Sequence, residues 1–397
     1  MEGIRLEDRL FILNRALYLI DNYFAHWEAV PDLDVGKLFY KHVDAVRRAK
    51  DRYAFGLVMS EIIADLKNGH THYKDWWLQK TYGMPLGFYA FYHDREKKWV
   101  VVQSEDKRIG IGEMVLRING QTTEAFFQRQ KGYISGSSER AQRNALFNHA
   151  YLFPERMAVE TESGTIIVER TKMGKAKRHS SRTTGKLLDK NFAYIRILSF
   201  AKPLYEKQAL KFVSKFAKCK TIIVDVRNNY GGGTPLKLLG KLMTRPWKRS
   251  IAAYVQPLAG LEVSRGFKAK ELSHGHMFKY DERKRIKPGR NHYRGKVIVL
   301  TNEQTNSAAE DFALTLAENR RAKIVGARTR GSNGNGELYQ LKGDIWMQLG
   351  IYRIYFKDGS AFEGVGIKPD VEAYLTIKDI RQGRDAVLER AVKLAKS

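Results

Sequence analysis

Between residues 191 and 327 the chain alternates short apolar runs with amphipathic ones, and this alternation limits the fold more than any other feature. TIIVDVR (221 to 227) and VIVLTN (297 to 302) are largely unbroken by polar residues, so both faces of each strand must be covered, as in a parallel sheet packed between helices. NFAYIRILSF (191 to 200) and AKIVGA (322 to 327) read as further strands. KQALKFVSKFAKC (207 to 219) and SAAEDFALTLAENR (307 to 320) repeat their apolar residues at helical spacing. The expected organisation is α/β, with functional loops at the carboxyl ends of the strands.

Upstream the pattern changes twice. Leu10, Leu13, Leu17 and Ile20 form one helical stripe and Phe55, Met59, Ile62 and Leu66 another, so about three helices are expected before Asn68-Gly69, with a break at Pro31. Asn68-Gly69 is a helix-stop signal that places His70 and Thr71 in a loop. LGFYAFYH, KWVVVQS and EMVLRING, within residues 86 to 120, read as strands of a small β-rich module. A helical insert from Thr123 to Leu152 and a hairpin turning at Ser163-Gly164 follow. The stretch from Met347 to Asp370 is expected to be a hairpin with a type I′ or similar turn at Asp358-Gly359. The expected domains are a helical region (1–80), a β-rich module with its linker (81–152) and an α/β core (153–397).

Composition narrows the function. The 397 residues carry 70 Lys and Arg against 43 Asp and Glu, a net charge of +27, with 43% hydrophobic residues and a single cysteine, Cys219. Such a chain has material for large cores, and global disorder, disulfide scaffolds and zinc ribbons are excluded. The basic residues are densest at 172–190 and 268–294. Neither stretch has the aromatic platform of an RNA-binding sheet or a recognition-helix signature, so no specific nucleic-acid partner is expected. These stretches read either as solvated surface or as a positive field that gathers anionic substrates, including peptides with a free carboxylate. No window of about 18 apolar residues occurs, so no membrane span is expected. Glu2, Glu7 and Asp8 stand where a signal peptide would be cationic, which leaves the compartment open between the cytoplasm and an exported form with its leader removed.

Four segments could carry chemistry. Gly231, Gly232 and Gly233 end an apolar strand, where they form either an amide nest for an anion or a flexible turn; no Gly-Lys-Ser/Thr follows, so an oxyanion hole suits the nest better than a nucleotide phosphate. Ser307 opens a helix among small neighbours, either as a nucleophile or as the cap of a Ser307-x-x-Glu310 capping box. His70 is either a loop general base or a structural histidine. Glu363 is either a carboxylate that orients an imidazole or a hairpin surface charge. His70-x-His72 and His274-x-His276 lack a carboxylate at ligand spacing, so neither metal nor cofactor is expected.

Taken in order, Gly69-His70-Thr71, IGIGEMVLRING (109 to 120), AYIRILSF (193 to 200), DVRNNYGGG (225 to 233), TNSAAEDFA (305 to 313) and EGVGIKPD (363 to 370) resemble the tail-specific (C-terminal processing) serine peptidases. The tricorn-core-like branch is the nearer one. The resemblance implies a Clp-protease/crotonase-like spiral core with an N-terminal helical region and a PDZ-like module. It implies a serine endopeptidase acting on unfolded or terminus-tagged polypeptides, with Ser307 as nucleophile, His70 as base, Glu363 as orienting carboxylate and the amides of Gly231 and Ala308 as oxyanion donors. Peptide or protein substrates are the implied partners, and an oligomer is compatible with it. In the branch that uses a Ser-Lys dyad a lysine stands where this chain has Ser332, after Thr329-Arg330-Gly331, which moves the base role to His70. Gly69 stands where a tetrad would place a serine, leaving a triad. The rival expectation is a non-catalytic binder of apolar ligands on the same scaffold, as in interphotoreceptor retinoid-binding protein.

Overall fold

The computed structural model describes residues 3–170, 182–256, 272–273, 276–281 and 284–396. Parts of both basic stretches, and His274 of the second histidine pair, lie outside the described residues. The chain divides into two compact units. One comprises Met1–Lys177, Ala253–Tyr280 and Gly334–Arg353, the other Arg178–Ala252, Asp281–Asn333 and Ile354–Ser397. Residues 153–177, 253–280 and 334–353, assigned by sequence to the α/β core, therefore belong with the first unit.

In the first unit three helices, Leu6–Tyr23, Val35–Arg48 and Arg52–Asp65, start where the sequence supplies caps for two of them. Asp34 accepts the Lys37 amide and Asp51 the Ala54 amide, each at 2.8 Å, satisfying amides that have no partner within the helix. The second helical stripe is buried as expected: Phe55, Met59, Ile62 and Leu66 are each 0% exposed. The first is rotated. Leu10 lies on the surface, and Ile12 and Ala16 join Leu13, Leu17 and Ile20 in the core, because the contact face centres one position further along the helix. These helices pack against strand Ile345–Gly350, which pairs antiparallel with Gly336–Lys342 on one side and His72–Asp75 on the other. This hairpin turns at Gly343 and was not read from the sequence. The turn at Asp358-Gly359, in the second unit, has a positive φ only at Gly359 (84°), so it is not type I′, which requires two positive φ values.

The β-rich module is an antiparallel sheet in the order Phe88–His93, Lys98–Ser104, Met114–Ile118, Arg156–Thr161, Gly164–Glu169. It closes over Trp99, Phe127, Leu146 and Val159.

The second unit is built on the sheet read from the sequence. Strands Val371–Glu372, Ala322–Gly326, Lys296–Thr301, Thr221–Asp225 and Phe192–Arg196 run parallel, and Thr184–Leu187 adds an antiparallel edge. Every residue of Thr221–Asp225 is buried. One sheet face, with Phe192, Ile223, Ile298 and Val325, packs on the C-terminal helix Ala386–Lys396. Among the described residues no helix is long and apolar enough to cross a membrane.

One polar contact secures the first unit. Arg52 grips Asp75 with two hydrogen bonds of 2.9 and 2.8 Å and reaches Asp344 at 2.5 Å, while Asp75 also caps the next helix through the Leu78 amide at 3.0 Å. Removing Asp75 leaves a largely buried guanidinium with Asp344 alone and frees a helix end. Asp75→Ala is expected to lower unfolding stability by about 3 to 5 kcal/mol in denaturant titrations. A loss below about 1 kcal/mol would show that the contact is dispensable.

Candidate active site

In the second unit, the strand ending at Asp225 delivers the glycine loop. Asp225 is 0% exposed; it accepts the Tyr194 hydroxyl at 2.6 Å and the Arg227 guanidinium at 3.0 and 2.7 Å, and Arg227 extends to Asp385 at 2.8 and 2.7 Å. Past this anchor, Asn229 is fully buried and faces three ways. Its side-chain amide donates to the Ile197 carbonyl at 2.9 Å, its carbonyl accepts the Asn306 amide at 3.0 Å, and its Oδ1 accepts the Gly231 amide at 2.8 Å. The glycine loop and the serine turn are thereby tied together.

Ser307 lies between strand Lys296–Thr301 and helix Ala308–Glu318 with φ 56° and ψ −126°. An ordinary N-cap has extended backbone, and a non-glycine residue at positive φ is held there by its surroundings. Those surroundings are identifiable. The Ser307 amide donates to the Ser332 carbonyl at 3.0 Å and to Glu310 Oε2 at 3.2 Å. Glu310 is completely buried and also accepts the Thr329 hydroxyl at 2.5 Å and the amides of Gly331 and Ser332 at 2.7 and 3.0 Å. Both halves of the capping box are thus present, and its carboxylate anchors a second segment of chain as well as the helix end.

Gly231 supplies space. A Cβ there would lie 2.6 Å from Ser307 Cβ and 3.0 Å from both Ser307 Oγ and the Ala308 nitrogen, and φ is +97°. The structure differs from expectation over its amide, which is engaged by Asn229 Oδ1, as the amide two residues after an asparagine commonly is. The Ala308 amide, at the positive end of the helix, has no acceptor among the described residues. Glu363 joins the same cluster: its carboxylate accepts the Ser332 hydroxyl at 3.4 Å and the Asn333 amide at 3.2 Å. The second unit therefore brings together Ser307, Ala308, Gly231 and Glu363.

His70 is carried by the first unit, in the turn between helix Arg52–Asp65 and strand His72–Asp75. It is 8% exposed. Asn68, fully buried, orders the turn: its Oδ1 accepts the His70 amide at 3.1 Å and the Thr71 hydroxyl at 2.8 Å. Ser135 donates between the carbonyls of Asn68 and Thr71, 2.6 Å from each, and Ser137 accepts the Gly69 amide at 2.9 Å. His26 is buried nearby; burial, then the charges of Arg353 and His70, lower its pKa to about 3, so it is neutral at physiological pH. Among the described residues no group of three or more metal-ligating side chains occurs.

Residues 191–373 match the model of peptidase family S41. That span contains the glycine loop, Ser307, Glu310 and Glu363. A protein of Chlamydia trachomatis is 33% identical over 106 residues, covering 26% of this chain and 18% of the relative. A carboxy-terminal-processing protease of Bartonella bacilliformis is 29% identical over 92 residues, covering 23% of this chain and 21% of the relative. The chain thus matches only about a fifth of the length of these relatives. Mature CPAF superposes with a TM-score of 0.77 at 16% identity, covering 98% of this chain and 97% of that one, which shows a shared fold. The match to peptidase family S41 covers residues 191–373, and the likeness to mature CPAF shows a mixed α/β fold.

Asn68, Asn229 and Glu310 were not singled out as site residues by the sequence reading, although Glu310 stood in the capping-box spacing. Burial pushes the Glu310 pKa up to about 7 against hydrogen bonds that favour its charged form. In the unfolded chain the proton leaves near 4.5; in the folded protein it is held to about 7. Between those values the native state binds more protons, so this group's contribution to stability falls as pH rises and levels off above 7, a span of roughly 3 kcal/mol. Glu310→Gln is expected to remove that slope. Urea titrations of both proteins from pH 4.5 to 8 test this, and a parent-minus-variant difference that does not change with pH would contradict it.

Proposed function

We propose that the protein is a serine endopeptidase that hydrolyses peptide bonds through an acyl-enzyme, with unfolded or terminus-tagged polypeptides as substrates. The observation that carries this reading is the backbone of Ser307, held at positive φ at a helix start with Gly231 leaving room beside its hydroxyl. A capping serine needs neither feature. Ser307 attacks the carbonyl carbon and passes its proton to His70, which then protonates the leaving amine; water releases the acyl group by the same steps in reverse. Glu363 takes the orienting carboxylate role. The Ala308 amide faces the developing oxyanion, and the Gly231 amide joins it on exchanging its bond to Asn229.

A place in the tricorn-core-like branch is supported by Ser332, which stands where a dyad would need lysine, is fully buried, and has its amide taken by Glu310. The antiparallel sheet of residues 88–169 is assigned a PDZ-like role, recognising a chain terminus by strand addition at an open edge.

Ser307→Ala and His70→Ala are each expected to lower kcat on an unfolded polypeptide by about 10⁴- to 10⁶-fold, and the double variant by no more than the worse single one, because the two groups act as a unit. A serine-directed phosphonate should label the parent at Ser307. Parental cleavage by Ser307→Ala, or a parent that binds apolar ligands and resists the phosphonate, would overturn the reading. Gly231→Ala should fold but lose at least about a hundredfold in kcat/KM, since its methyl fills the space beside the hydroxyl and beneath the oxyanion.

A further inference from the structure

The proposed chemistry uses the carboxyl ends of the strands in the second unit. At their amino ends lies a cavity of about 690 Å³ whose rim is basic. Arg294 and Lys296 enter strand Lys296–Thr301, while Arg320, Arg321 and Lys323 join the end of helix Ala308–Glu318 to strand Ala322–Gly326. Among the described residues Asp370 is the one carboxylate lining it. Six strand residues span about 20 Å, so the cavity and Ser307 belong to opposite ends of the sheet.

These cations differ in what they already do. Lys323 pairs with Asp370 at 2.9 Å, and Asp370 also accepts the Ile324 amide at 2.7 Å, so each carboxylate oxygen is engaged. Arg321 points inward, donating to the carbonyls of Tyr293 and Gly295 at 3.0 and 2.8 Å, which fastens the segment carrying Arg294 and Lys296. That segment is built tightly: a Cβ on Gly295 would lie 2.2 Å from the Tyr293 hydroxyl and 2.6 Å from the Lys220 carbonyl. Arg294, Lys296 and Arg320 are exposed, and their side chains have no hydrogen-bond or ion-pair partner among the described residues. The helix end supplies little compensating negative charge, because its last carbonyls are occupied: Ala317 and Leu316 accept the amides of Arg320 and Arg321, each at 2.8 Å.

We propose that this cavity binds a phosphate group carried on a partly apolar molecule. Three unengaged cations, two of them planar forks, match the several acceptor oxygens and double charge of a phosphate monoester better than a single carboxylate. The walls between the cations are apolar: Val297, Ala317, Ala322 and Leu394 line them. The volume exceeds that of a bare phosphate, so the ligand places its ester substituent against these residues. Charge selection and an apolar flank also separate this site from the diffuse attraction of a +27 chain for any polyanion. The source of the phosphate is either a soluble phosphate ester or an anionic lipid headgroup.

The test uses the full chain at constant ionic strength. Inorganic phosphate and a short alkyl phosphate are titrated calorimetrically, and flotation is measured with phosphatidylcholine vesicles containing or lacking phosphatidic acid. Arg294→Ala/Arg320→Ala is compared with Lys211→Ala/Lys218→Ala, a pair of equal charge on the exposed face of helix Pro203–Lys215 and just beyond it. Alkyl phosphate should bind saturably and more tightly than inorganic phosphate, at least tenfold more weakly to the first double variant, and unchanged to the second. Binding to alkyl phosphate alone identifies a soluble ester, and flotation with phosphatidic acid that the first pair abolishes identifies a lipid. Equal losses in both double variants, or saturable binding of neither ligand nor vesicles, would overturn the proposal. Peptide cleavage should be unaffected by the Arg294/Arg320 pair.

Discussion

One buried carboxylate organises the second unit's functional end. Glu310 sits at the first turn of a helix with no solvent contact, and it accepts hydrogen bonds from Ser307, Thr329, Gly331 and Ser332. Burying a carboxylate is unfavourable unless donors replace water; four donors from two segments of chain offset part of that cost, and burial still raises the pKa. The consequence is geometric. Ser307 cannot relax to the extended backbone of an ordinary helix cap while its amide is held by both Glu310 and the Ser332 carbonyl. Thr329 passes the constraint on: its hydroxyl accepts the Ile367 amide at 2.8 Å, and the Gly364 amide reaches the Gly331 carbonyl at 2.7 Å, fixing the loop that carries Glu363.

The same set of contacts explains why the glycines are where they are. Gly331 packs so closely on the Glu363 loop that a Cβ would lie 2.9 Å from the Gly366 amide, and Gly231 leaves the space beside the Ser307 hydroxyl open. Both have positive φ, so a side chain would strain the backbone as well as fill the gap. A nest of glycines was read from the sequence as a source of amides. In the structure the sharper role of Gly231 is steric, since its amide already serves Asn229.

The parallel sheet was legible because its signal is local: apolar runs such as TIIVD need covering on both faces wherever they occur. The hairpin at Gly343 was not, since Glu337, Leu338, Tyr339 and Gln340 alternate imperfectly and strand Gly336–Lys342 shifts register between Gln340 and Lys342. The site divides along the same line. Ser307, His70 and the glycine loop stand in recognisable local patterns. Asn229 does not, and Asn68 is marked only as part of a helix stop, because a buried asparagine matters through the groups it meets, and sequence does not show which those are. Glu310 was visible as half of a capping box, yet nothing nearby announces that residues 329–332 fold back onto it.

Charge shows the same limit from the other side. Net charge and basic runs describe a field, and a field is satisfied by solvent and counter-ions as readily as by a ligand. What separates a site from a charged surface is whether the cations have been used. Arg52, Arg227 and Arg321 are committed to carboxylates or carbonyls and act as fasteners. Arg294, Lys296 and Arg320 come from two segments 24 or more residues apart, converge on one cavity, and meet a carboxylate already engaged by Lys323. No single stretch of sequence displays that imbalance. It exists only after strands Lys296–Thr301 and Ala322–Gly326 pair in parallel and bring their amino ends together, which is why the density of basic residues reaches Arg294, at the end of one stretch, but not Lys296 or Arg320.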